Sequence, residues 1–156
     1  MAEFDLYLEA GAMRDAERHV SRLSVEGREG MGLLLGKRFT WHGREYVYAD
    51  RFVTAANDSS AVRVSFAREA FPELAKLLRK RLKDRVVVGW LHSHPGYGCF
   101  LSSTDVATQE SFFSEEFHAA VVVDPTREEK GGMLKRAFRA EYGEAYEIAF
   151  AVVEKK

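Results

Sequence analysis

The run Arg85-Val86-Val87-Val88-Gly89-Trp90-Leu91 constrains this chain more than any other stretch. Three consecutive valines followed by tryptophan and leucine leave no polar alternation. Both faces of the segment must therefore be covered, as in a central strand of a sheet flanked by other layers. The run stops in His92-Ser93-His94-Pro95-Gly96, with two imidazoles one residue apart. On a strand such a pair points to the same face. Pro95 and Gly96 end the strand at once, so both histidines stand at an open sheet end, where ligands and loops meet.

The other segments supply the layers. Met13, Ala16, Val20 and Leu23 recur at helical spacing and predict an amphipathic helix over residues 8–23. Gly27 and Gly30 break the chain, and the apolar run 31–35, closed by Gly36, reads as a buried strand. Residues 44–53 alternate as a further strand, after a turn at Trp41-His42-Gly43. Residues 55–60 read as a loop and 61–65 as a short strand. Phe66 to Leu82 carry a second helical stripe, in which Pro72 marks a start or a kink. Ser102-Ser103-Thr104-Asp105 opens a third helix reaching about Ser114. Residues 117–124 form a buried strand ended by Asp124-Pro125, Lys130-Gly131-Gly132 is a turn, and residues 133–140 and 146–153 are closing strands. The expected fold class is α/β, a mixed and mainly antiparallel sheet flanked by helices, in a single domain over residues 1–156.

Bulk properties exclude several functions. Of 156 residues 46% are hydrophobic and 30% charged, with a net charge of -1, so no basic field invites nucleic acid. The basic run 79–85 reads as the solvated end of a helix. Acids at Glu3 and Asp5 stand where a signal peptide would be basic, and no apolar run is long enough to span a membrane. Cys99 is the sole cysteine, which points to a reducing compartment, the cytoplasm.

His92, His94 and Asp105 make a two-histidine, one-carboxylate set of the kind that holds a catalytic zinc with a fourth position left for water. Two readings of the segment stand side by side. Ser102 and Asp105 also fit a helix capping box of the acid type, and histidines at a strand end can be ordinary polar residues. A thiol mechanism through Cys99 with His92, His94 or His118 as base has little support, because no electropositive helix end precedes the cysteine. Glu29, just before the buried strand, is a candidate general base and equally a plain loop carboxylate. Ser102 is a candidate oxyanion donor, a cap, or both.

Taken together, Glu29 in Glu-x-Met-Gly-Leu-Leu-Leu-Gly, His92-x-His94-Pro95, Ser102-x-x-Asp105 and Asp124-Pro125-Thr126-Arg127 resemble the JAMM (MPN-plus) zinc isopeptidases. The likeness is strongest to the catalytic subunits of the proteasome lid and the signalosome, and it runs from about Glu29 to Tyr142. The resemblance implies a cytidine-deaminase-like α+β fold, one Zn2+ held by His92, His94 and Asp105, Glu29 as general base and Ser102 as oxyanion donor. It implies cleavage of the isopeptide bond between ubiquitin, or a ubiquitin-like protein, and a lysine. In the family the modifier's extended tail is held against an insertion, which here spans about Phe52 to Lys80. The polar stretch Asn57, Asp58, Ser59 and Ser60 is the expected place for the tail to add as a strand. The proteasome is a candidate partner, but the chain ends soon after its last strand, and the expectation is a compact enzyme of the archaeal, stand-alone type. The competing readings are a non-catalytic MPN scaffold and a hydrolase acting on a sulfur-carrier protein or a small molecule.

Overall fold

The structure, a computed structural model, describes residues 3–54, 58–59, 64–65 and 84–155. Eight strands form one mixed sheet: β1 (Leu6–Glu9), β2 (Met31–Trp41), β3 (Arg44–Val53), β6 (Val86–Ser93), β7 (Ala119–Glu129), β8 (Gly132–Glu141), β9 (Glu144–Ile148) and β10 (Phe150–Val153). Their order is β10-β1-β3-β2-β6-β7-β8-β9, while β4 (Asp58–Ser59) and β5 (Val64–Ser65) pair with each other. Three junctions in the large sheet are parallel, β1 with β10, β1 with β3, and β6 with β7, and the others are antiparallel. Two helices complete the described residues, α1 (Ala10–Ser24) and α2 (Ser103–Phe112).

The valine run lies where its composition requires. Strand β6 sits between β2 and β7, with Val88, Trp90 and Leu91 buried. An irregularity opposite Leu34 and Leu35 shifts the pairing of β6 with β2. Val88 and Leu91 consequently join one core cluster, with Leu34 and Val121, while Trp90 joins another, with Met31, Leu33 and Phe113. His92, two residues after Trp90, is stacked on its ring. Gly89 permits the tight parallel pairing, because a Cβ there would run into the Ala119 carbonyl.

Helix α1 buries Ala10, Ala12, Met13, Ala16 and Val20 against β3 and β7; of the stripe read from the sequence Met13, Ala16 and Val20 are buried and Leu23 is half-buried. It starts two residues later than the spacing predicts, because Leu6 and Leu8 belong to β1 and point into the core. Gly27, at φ 70°, turns the chain after the helix, and the Arg28 amide donates back to the Leu23 carbonyl over 2.9 Å.

Three expectations are corrected. Gly36 does not end β2, which continues to Trp41 through a bulge at Leu35/Gly36; glycine is used there because the Tyr48 carbonyl occupies the space of a Cβ. Asp58 and Ser59 lie on a strand rather than in a loop, paired with Ser65 and Val64. Residues 146–153 do not make one strand: β9 and β10, joined by Ala149 alone, lie at opposite ends of the sheet order. A one-residue link spans only a few ångströms, so the sheet coils until its two edges meet, and the Asp5 amide closes the seam on the Ala149 carbonyl over 3.0 Å. The second amphipathic helix, residues 66–82, lies outside the described residues.

Candidate metal centre

The site is assembled by three neighbours. Strand β6 delivers His92 in register with Met31 of β2 and Val122 of β7. The Ser93 amide donates to the Gly30 carbonyl over 3.0 Å, and the Ser93 hydroxyl accepts the Gly30 amide over 2.9 Å. This pair of hydrogen bonds ties the segment carrying Glu29 to the end of β6. His94, just past the strand, donates its amide to the Val123 carbonyl over 2.8 Å. Helix α2 brings Asp105.

The three side chains converge. The Nε2 atoms of His92 and His94 are 3.1 Å apart, and Asp105 Oδ2 lies 3.0 Å from the first and 3.1 Å from the second. All three residues are buried and form a group that could hold a metal ion. A tetrahedral zinc with bonds of about 2.0–2.1 Å spaces its ligands about 3.3 Å apart, so the triangle has the right size. The protons agree with the spacing. His94 Nδ1 faces the Gly98 carbonyl at 3.3 Å, a group that only accepts, so a proton belongs on Nδ1 and Nε2 is the nitrogen that would offer its lone pair to an ion. In the metal-free protein a proton on Nε2 bridges to Asp105 Oδ2 at 3.1 Å, and a bound cation would take that proton's place between the two atoms. The donor set fits zinc.

Asp105 serves helix and site together. Ser102 is the N-cap of α2, its hydroxyl accepting the Asp105 amide over 3.1 Å, while Asp105 Oδ2 accepts the Ser102 amide over 3.0 Å. The capping box and the ligand reading are therefore the same geometry, and the box aims Oδ2 at the histidines. Burial raises the Asp105 carboxyl, yet the contacts with His92 and His94 and the Ser102 amide outweigh it and hold Asp105 well below the usual carboxylate range. Burial lowers His92. Burial also opposes charge on His94, but Asp105, Glu29 and the Gly98 carbonyl together raise it.

Glu29 is only 2% exposed. Burial pushes its carboxyl up to about 7, with the nearby His94 charge opposing the rise and Asp105 adding to it. A carboxyl that exchanges a proton near neutrality suits general acid–base work. Of the tail-binding set, Asp58 and Ser59 lie in β4, and Asn57 and Ser60 fall outside the described residues. Burial pushes the Cys99 thiol up to about 11 and its S–H donates to the Leu134 carbonyl over 3.4 Å, both of which disfavour a thiolate.

Two parts of the site went unassigned in the sequence. Trp90 stacks on His92 with ring centroids 4.5 Å apart, and on Phe113 at 5.5 Å, both nearly parallel. Its indole N–H donates to Gln109 Oε1 over 2.5 Å, and Gln109 Nε2 donates to the His118 carbonyl over 3.1 Å. Gln109 stands one helical turn after Asp105, a spacing that puts both on one face of α2 and was visible in the chain. Asp124, fully buried, is the second.

A model of the family described as JAB1/Mov34/MPN/PAD-1 ubiquitin protease matches residues 5–116. The chain belongs to this MPN family. Within it, the 26S proteasome regulatory subunit RPN11 of Eremothecium gossypii is 39% identical over 137 residues, covering 86% of this chain and 42% of that protein. The ubiquitin carboxyl-terminal hydrolase RPN11 of Saccharomyces cerevisiae is 41% identical over 113 residues, covering 71% of this chain and 36% of that protein. The MPN chain thus spans less than half the length of these relatives. The solution structure of DSY2949 from Desulfitobacterium hafniense has the same fold, with a TM-score of 0.74 at 20% identity over 96% of this chain and 94% of that one.

Proposed function

We propose that the chain is a zinc-dependent isopeptidase that removes ubiquitin or a ubiquitin-like protein from lysine side chains by activating water. The observation that carries the reading is the meeting of His92 Nε2, His94 Nε2 and Asp105 Oδ2 within 3.1 Å at the sheet end where Glu29 is buried. His92, His94 and Asp105 would hold the ion. When bound, zinc supplies a Lewis acid that polarises a carbonyl and lets water lose a proton near pH ~7.

The chain's own residues do the rest. The Glu29 carboxylate takes a proton from the attacking water and passes it to the departing lysine nitrogen, so that no free charge is left on either. Burial makes this two-way traffic feasible by holding Glu29 near neutrality. Ser102 steadies the oxygen of the tetrahedral intermediate. Its own oxygen already accepts the Asp105 amide, so the hydroxyl hydrogen is the part that it can donate. The substrate's extended tail adds beside β4, with Asn57, Asp58, Ser59 and Ser60 as its contacts, by strand addition. The family and its RPN11 relatives support a ubiquitin-related substrate. The single cysteine supports a cytoplasmic setting.

The test is a zinc determination on purified protein, followed by cleavage of ubiquitin and ubiquitin-like conjugates with and without Glu29→Gln. About one zinc per chain is expected in both, with turnover reduced by about 10²–10⁴-fold in the variant. A variant as active as the parent overturns the mechanism. Zinc without turnover on any modifier favours the non-catalytic scaffold or an enzyme that needs an activating partner. For the tail, deletion of residues 57–61 raises KM for a modifier conjugate far more than for a short peptide, and equal effects reject that part.

A further inference from the structure

Asp124 is a buried carboxylate that the proposed chemistry does not use, and it is saturated with bonds. Its Oδ1 accepts the amides of Gly96 at 3.0 Å and Thr126 at 2.9 Å, and the Thr126 hydroxyl at 2.7 Å. Its Oδ2 accepts the Gly98 amide at 2.9 Å, with the Arg127 guanidinium at 3.4 Å. Two of these donors belong to the loop that follows His94, a loop that turns on Gly96 and Gly98 at φ 84° and 82°. Only glycine adopts such angles without strain.

The loop is not passive toward the site. Gly98 gives its amide to Asp124 and turns its carbonyl to His94 Nδ1 at 3.3 Å. One residue thus links a fixed carboxylate to the outer nitrogen of a candidate ligand. We infer that Asp124 is a positioning residue for the metal centre: by anchoring Gly98 it keeps a carbonyl in front of His94 Nδ1, which orients the ring and leaves Nε2 free for the ion. The inference rests on the metal-binding reading of His92, His94 and Asp105. Outer partners of ligand histidines fix tautomer and ring orientation, and their loss usually lowers metal affinity by about 10–100-fold. Here the outer partner is a backbone carbonyl, which cannot be substituted directly, so Asp124 is the side chain through which its position is set.

The experiment compares the full chain with Asp124→Asn, a near-isosteric change whose NH2 group faces amide donors. Zinc affinity is measured by competition with a chromophoric chelator, and the His94 Nδ1–H is followed by 15N-edited NMR in the zinc-free protein. The parent is expected to show a slowly exchanging His94 Nδ1–H. Asp124→Asn is expected to lose that signal and to bind zinc about 10–100-fold more weakly. Should Asp124→Asn fail to fold, Gly98→Val breaks the same link at its middle, since a β-branched residue does not hold that φ, and the same two losses are expected. Either folded variant with parental zinc affinity and a parental His94 signal overturns the inference. A parent that binds no zinc refutes the metal reading instead, and the NMR comparison still decides whether Asp124 holds His94.

Discussion

His92 and His94 leave the same strand end two residues apart and share Asp105 on Nε2, yet the molecule backs their Nδ1 sides by different means. His92 is fully buried and stacked on Trp90, which is itself stacked on Phe113, and its Nδ1 has no hydrogen-bond partner among the described residues. His94 has a polar backing, the Gly98 carbonyl on Nδ1 and behind it the Asp124 carboxylate. Histidines that hold metals ordinarily donate their second N–H; His94 Nδ1 has an acceptor placed for that, and His92 is wedged against Trp90 instead. The contrast teaches that orientation can come from shape or from hydrogen bonds. Shape fails when volume is removed, and hydrogen bonds fail when a single polar atom is exchanged.

The largest expected effect falls on the apolar clamp. Trp90→Ala removes a fully buried ring and costs about 3–5 kcal/mol of stability in the zinc-free protein, read by denaturant unfolding. With its backing gone, His92 also loses orientation, so zinc affinity falls together with stability. Trp90→Phe keeps a stacking ring and retains more of both. If Trp90→Ala unfolds more easily but binds zinc as tightly as the parent, the stack is merely core and does not hold His92.

Gln109 comes next, because it is the polar foot of that apolar clamp. Gln109→Ala strips the partner from the Trp90 indole N–H and from one hydrogen-bonded carbonyl at His118. A buried polar group left unpaired costs about 1–3 kcal/mol, and the unfolding free energy should fall within that range. A change near zero would mean that packing alone fixes Trp90, which sharpens the contrast with His94.

How much of this was legible in the sequence follows the reach of each signal. Residue type and short spacing exposed His92, His94, Ser102 and Asp105, because a strand end and the first turn of a helix are local objects. The strand 44–53 and the apolar face of α1 were equally readable, since their periods lie within one element. Asp124 was read as the end of a strand, which in fact runs on through an irregularity to Glu129, and as part of the family pattern without a role, because its loop partners Gly96 and Gly98 stand 28 and 26 residues earlier. Gly36 read as a stop because its close contact, the Tyr48 carbonyl, comes from the neighbouring strand. The split at Ala149 was hidden for a related reason: both halves have strand character, and only the coiling of the whole sheet sends them to different edges.

Acid should distinguish the two clamps. Burial alone would raise the Asp124 carboxyl, but the bonds from Gly96, Thr126 and Gly98 overcome it and hold the group below the usual carboxylate range. A carboxyl lowered on folding stabilises in full above its unfolded value of about 3.9 and loses that contribution as pH falls through the folded value. The stability difference between the parent and Asp124→Asn should therefore be constant from pH 7 to about 5 and shrink below about pH 4, when followed by unfolding at each pH. Trp90 has no titratable group of its own, so Trp90→Ala does not remove this carboxylate contribution. A gap between parent and Asp124→Asn that stays constant into acid would show that the charge of Asp124 contributes nothing and that only its shape matters.

The smallest effect is expected at Arg127, and it tests where the polar clamp is anchored. The Arg127 side chain is 54% exposed, with Nε 3.4 Å from Asp124 Oδ2 and a second nitrogen 3.4 Å from the Gly96 carbonyl. Exposed pairs of this kind contribute about 0–1 kcal/mol, because water screens the charge and ordering a long side chain costs entropy. Asp124 already accepts three backbone amides and one hydroxyl. Arg127→Met should thus change unfolding by no more than about 1 kcal/mol and leave both zinc affinity and the His94 Nδ1–H signal as in the parent. If Arg127→Met weakens zinc binding as much as Asp124→Asn, the loop is held from the solvent side by an exposed charge. His94 would then depend on ionic strength, as His92, sealed against Trp90, cannot.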